Sequence, residues 1–169
     1  MKFRLIILRH GKSDWHAGAA TDHARPLNKR GRRDAPRVAA KLAELGWRPS
    51  HVWSSDATRT RETYELMAPV FDAAPDARFE PNLYLADLGA IRRVVAEVDD
   101  ETLRSCTTAM FVGHNPGWEE AASTLTGIDT TLTTCNAVLM TVKADSWAAA
   151  LERENDWKLV AHILPRALR

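Results

Sequence analysis

The chain has 169 residues, 45% apolar and 27% charged, with 8 Gly and 8 Pro, which excludes a disordered or fibrous protein and fits one domain with its own core. Its 23 Lys and Arg against 22 Asp and Glu give a net charge of +1. That balance supplies no broad positive field for nucleic acid or acidic lipid, although a local basic pocket stays open. The two cysteines, Cys106 and Cys135, lack the spacing of a disulfide framework or a zinc knuckle. The apolar run after Met1-Lys2-Phe3-Arg4 is Leu5 to Leu8, too short for a signal core or a membrane span. The expected setting is a reducing cytoplasm, with no membrane and no nucleic acid as partner.

Phe3 to Leu8 reads as a central strand covered on both faces. Ala35, Val38, Ala39, Leu42 and Leu45 then recur at helical spacing, and Gly46 supplies a stop. His51 to Trp53 is a short strand, Asp56 to Phe71 a helix, and Asp72 to Asp76 a loop. Leu88, Ile91, Val94, Val95 and Val98 mark a third helix. Ala109 to Val112 is a buried strand, followed after Gly113-His114-Asn115-Pro116 by a helix to about Leu125. Two late strands, Ala137 to Val142 and Trp157 to Ile163, flank a short helix around Trp147 to Leu151. This alternation predicts a three-layer α/β/α fold with a mostly parallel central sheet, one domain over 1–169.

Ligands in such sheets bind at the carboxyl ends of the strands. Three predicted strand ends carry cationic or imidazole groups: Arg9-His10-Gly11, Ser54-Ser55 with Arg59 one turn on, and Gly113-His114-Asn115-Pro116. Two arginines and two histidines thus face one edge as an anion pocket with a candidate nucleophile. Arginine matches phosphate because its planar fork binds two oxygens and stays charged. A neutral imidazole beside positive charge is a competent nucleophile toward phosphorus. Gly11 is expected to give a sharp exit from the strand, including positive φ, and Asn115 with Pro116 to cap and begin the next helix. Ser55 or Asp56 is expected to cap the helix that carries Arg59.

Other phosphate chemistries lack their residues. Gly11-Lys12-Ser13 has Ile6 where a Walker A loop needs glycine. Neither cysteine has an arginine six residues later, and no two aspartates lie two residues apart. No histidine pair has metal-ligand spacing, so neither metal nor cofactor is expected.

Leu8-Arg9-His10-Gly11 with Lys12-Ser13-Asp14-Trp15 resembles the signature of the histidine phosphatase, or phosphoglycerate-mutase-like, superfamily. The finer likeness is to its short SixA-type phosphohistidine phosphatases. Arg25-Pro26-Leu27 before Gly31, Ser54-Ser55 with Arg59 and Thr63, and Gly113-His114-Asn115-Pro116 extend the likeness to about Leu125. The resemblance implies a phosphoglycerate-mutase-like fold, with His10 as phosphorylated nucleophile. It further implies Arg9, Arg59 and His114 as contacts to the phosphoryl group, and Gly11, Arg25 and Asn115 as substrate-binding positions. Larger relatives place an acid glutamate after the second helix. Here Asn82 falls at that place, with Glu80, Asp14 and Asp87 as other candidates.

A phosphoramidate leaves as neutral imidazole and needs less acid assistance than an alkoxide. The expected activity is therefore metal-independent hydrolysis of phosphohistidine on a protein. The alternatives are hydrolysis of small phosphorylated metabolites and a non-catalytic phospho-binding module. Lys29-Arg30-Arg32-Arg33-Arg37 is read as a solvated helix face rather than a docking patch. Trp15 and Trp118 flank the pocket motifs and are candidates to line it.

Overall fold

The computed structural model describes residues 1–168. Its sheet has six strands: β1 (Lys2–Arg9), β2 (His51–Ser55), β3 (Asp76–Glu80), β4 (Thr108–Gly113), β5 (Ala137–Lys143) and β6 (Lys158–Ile163). Their spatial order is β3-β2-β4-β1-β5-β6. The pairings β3–β2, β2–β4 and β4–β1 are parallel, and β1–β5 and β5–β6 are antiparallel. The sheet is thus mostly parallel, with an antiparallel edge from the chain's last strands.

Alternation along β1 sends side chains to both faces. Leu5 and Ile7 join one core with helices α3 (Leu88–Glu97) and α5 (Gly117–Thr126), through Ile91, Val95, Ala122 and Leu125. Ile6 and Leu8 join the other with α1 (Lys29–Glu44) and α2 (Thr58–Met67), through Val38, Leu42 and Met67. A strand covered twice reads as a continuous apolar run, and β1 does so. The short helices α4 (Asp100–Ser105) and α6 (Trp147–Leu151) complete the layers. Among the described residues no helix is long and apolar enough to cross a membrane.

Several local expectations need correction. The second helix ends at Met67 and continues as a 3-10 turn over Ala68–Val70, because Pro69 has no N–H to extend an α-helix. The strand β3 begins where a loop was expected to end; it is a sheet edge with no buried residue, so its sequence carries no apolar pattern. The helix α4 buries nothing either and was equally silent. The cap of α5 falls on Pro116 rather than Asn115, so Gly117 is its first helical residue. The cap position of α2 is Ala57, with no side-chain cap bond; Ser55 and Asp56 are used elsewhere.

Candidate active site

The register brings two of the three motifs together. Arg9 at the end of β1 lies opposite Gly113 at the end of β4, and the His10 N–H donates to the Gly113 carbonyl at 3.1 Å. The third motif follows β2, on the other side of β4, and sends Arg59 back from the first turn of α2. Arg9, His10, Arg25, Arg59, His114 and Asn115 all line one cavity of about 390 Å³. Gly11, next to His10 in the chain, does not line it.

His10 is buried, 6% exposed. Its Nδ1 lies 2.6 Å from the Gly11 carbonyl, which can only accept, so Nδ1 carries the ring proton. The lone pair is then on Nε2, where Arg59 Nε donates at 3.3 Å. Burial first, and the charges of Arg59, Arg9 and Arg25 after it, push this imidazole down to about 3. It is neutral in any ordinary buffer.

His114 faces it, ring centroids 5.2 Å apart. His114 Nε2 lies 2.8 Å from Ser55 Oγ, which already accepts from the Ala57 N–H. The Ser55 proton has Nε2 as its partner, which leaves the His114 proton on Nδ1. Burial, and then His10 and Arg59, hold this ring down to about 2. His114 Nδ1, Arg9 Nε and Arg25 Nε are buried and have no hydrogen-bond partner within the protein. Buried donors left unpaired are costly, and an oxyanion is the ligand that satisfies several at once.

Gly11 does not have positive φ. Its lack of a side chain serves close packing instead: a Cβ there would lie 3.2 Å from Gly31 and 3.3 Å from Leu27. Its N–H donates to Thr63 Oγ1 at 3.0 Å and its carbonyl fixes His10, so it positions the imidazole rather than offering a donor to a ligand. Asn115 likewise spends its amide donors within the protein, on Glu119 Oε2 at 3.0 Å and the Leu132 carbonyl at 2.8 Å. Arg9 Nη1 donates to that same carbonyl at 3.0 Å, so Asn115 braces the segment that holds Arg9.

Sequence reasoning missed Asp22. Its Oδ1 takes Arg25 Nη2 at 2.7 Å, its Oδ2 takes Arg59 Nη2 at 3.0 Å and the Tyr84 hydroxyl, and its carbonyl takes Arg59 Nη1 at 2.7 Å. Tyr84, Arg25 and Arg59 hold the carboxyl well below the usual carboxylate range. The one available signal was its place three residues before Arg25. Among the described residues Asp22 is the carboxylate that lines the cavity; Asp14, Glu80, Asp87 and Asn82 do not. Asp87 caps α3, and Asp14 accepts from the His16 N–H. Trp15 does line the cavity and stacks on Arg25, with the guanidinium 3.6 Å from the ring centroid. Trp118 is core, its indole N–H on the Phe111 carbonyl.

The family model of the histidine phosphatase superfamily (branch 1) matches residues 5–122. An uncharacterized chloroplastic protein of Arabidopsis thaliana is 42% identical over 171 residues, covering 96% of this chain and 78% of that one. A Shigella dysenteriae protein carrying the name "Probable phosphoglycerate mutase GpmB" is 25% identical over 138 residues, 78% of this chain and 62% of that one. Among solved structures, the protein histidine phosphatase SixA complexed with tungstate superposes with a TM-score of 0.78 at 19% identity, over 97% of this chain and 98% of that chain. The architecture is therefore phosphoglycerate-mutase-like.

Proposed function

Because the chain belongs to the histidine phosphatase superfamily and is a phosphatase, we propose that its substrate is phosphohistidine displayed on a protein, hydrolysed through a covalent phosphohistidine at His10. His10 Nε2 attacks phosphorus in line while the bond to the leaving imidazole breaks. That imidazole departs neutral, its distal nitrogen having taken a proton from solvent. Arg9, Arg59 and the His114 Nδ1–H hold the three peripheral oxygens, where most phosphoryl-transfer stabilisation lies. Water then attacks the phosphoenzyme, releasing inorganic phosphate and restoring neutral His10. Arg25 supports the rim of the pocket, and Gly11 and Asn115 position the groups that act. The two buried, unbridged cysteines fit a reducing compartment such as the cytoplasm.

The observation that carries the substrate choice is the state of Asp22. The carboxylate in the cavity is held ionised and tied to two arginines, so it has no proton to give an alkoxide. Leaving groups that depart without strong protonation are then favoured, and lacking an acid slows a poor leaving group by about 10²–10⁴-fold.

A turnover panel tests this. A phosphohistidine protein and an aryl phosphate should be hydrolysed at least about 10²-fold faster than phosphoserine or sugar phosphates. Labelled substrate should yield an acid-labile, alkali-stable phosphoenzyme that is lost in His10→Ala. Equal rates on alkyl esters would point instead to a metabolite phosphatase. Absence of any turnover, with phosphate still bound, would make the chain a binding module.

A further inference from the structure

The arginine-rich start of α1 resolves into two kinds of cation. Arg32 has a carboxylate of its own, Glu62 on α2. Arg30, Arg33 and Arg37 share one, Asp34. The Asp34 side chain is 3% exposed, with Arg33 Nη2 at 3.0 Å, Arg37 Nη1 at 3.2 Å and Arg30 Nε at 3.7 Å. Arg37 is further anchored on the Leu168 carbonyl at 2.6 Å. Arg30 and Arg33 remain 57% and 63% exposed.

These two arginines, with exposed Arg166 from the turn after β6, line a groove of about 450 Å³ beside Thr133 and Thr134. Three guanidiniums face one carboxylate there, an excess of two positive charges on a chain whose net charge is +1. Thr134 also lines the catalytic cavity, so the two depressions are neighbours across one residue.

We propose that this groove docks an acidic segment of the substrate protein, next to the phosphohistidine that enters the catalytic cavity; the inference rests on the reading that the substrate is a protein. Charge complementarity selects an anionic segment, and on a protein partner those charges are the carboxylates of Asp and Glu. The catalytic clamp already holds the phosphoryl group, so a ligand that fills both depressions carries its phosphate and its further negative charges on one extended chain. Asp34 holds Arg30 and Arg33 near the groove, which lowers the ordering cost of binding. A patch of this size steers and orients its partner more than it binds tightly, so its effect belongs in KM and in salt dependence.

The test uses the full chain with two phosphohistidine peptides, one flanked by Asp and Glu and one with Asn and Gln in their place, and an aryl phosphate. The variants are Arg30→Glu with Arg33→Glu, and separately Arg166→Glu, which lies on a different element. Wild type should favour the acidic peptide, and each variant should raise its KM by about tenfold. Kinetics on the neutral peptide and the aryl phosphate should stay put. An equal effect on all three substrates, or on none, would overturn the proposal. So would an effect confined to small multiply charged phosphates.

If wild type hydrolyses the aryl phosphate but neither peptide, the protein-substrate reading is what fails. The groove is then read directly, by fluorescence anisotropy of the labelled acidic peptide without its phosphate. Binding that charge reversal weakens by about tenfold supports the surface, and no binding ends it.

Discussion

Asp22 lies between Arg25 and Arg59, one carboxylate oxygen on each guanidinium, and so places a negative charge at the cavity that is to receive an anion. Its charge therefore opposes an incoming anion even as it orders the arginines. Asp22→Asn keeps the size of the side chain and removes the charge. The variant should bind inorganic phosphate about fivefold more tightly as a competitive inhibitor of aryl phosphate hydrolysis, about 1 kcal/mol. Weaker inhibition would show that orienting the arginines outweighs repulsion. Arg9, His10, Arg59 and His114 were legible because each sits at a strand end or one turn after it, where chain order alone aims them; Arg25, in the loop between β1 and α1, came only from the resemblance. Asp22 and Tyr84 come from a loop and the end of a 3-10 turn, which have no period to read.

Helix α1 meets the His10 loop through two glycines. A Cβ on Gly31 would lie 2.3 Å from the Lys12 carbonyl, an oxygen that already accepts from the Asn28 N–H at the helix cap. Backbone has little room to give. Gly31→Ala should cost about 1–3 kcal/mol in urea unfolding, with aryl phosphatase activity falling as the loop shifts. Unchanged unfolding would mean that loop and helix slide apart freely. Strands β1, β4 and β5 were legible from continuous apolar runs, and α1 and α3 from their stripes. Direction was not: Ala137 to Val142 reads the same whether its neighbour runs parallel or antiparallel, and only pairing with β1 decides it. The polar β3 and α4 bury no residue, so no hydrophobic pattern announced them.

At the scale of the whole molecule, the site makes stability depend on pH. His10 and His114 titrate at about 3 and about 2 when folded, and near 6.5 when unfolded. Between those values the unfolded chain binds more protons, so stability is complete above about 6.5 and declines as pH falls toward 3. Asp22, also depressed, adds loss in the same direction below its unfolded value near 3.9. The urea midpoint should therefore drop steadily from pH 7 to pH 4, and His114→Asn should flatten that slope; a level midpoint would contradict neutral burial of the two rings.

The central position of β1 has a consequence for biosynthesis. This strand is made well before its neighbours β4 and β5, and Arg9 finds its register partner only at Gly113. At roughly 5–20 residues per second, the nascent chain waits on the order of 5–20 s for that partner to be made. Through that interval β1 is an unpaired apolar segment, a natural client for a chaperone. Hydrolysis begins late, when the sheet closes around a strand that has waited for partners about a hundred residues downstream.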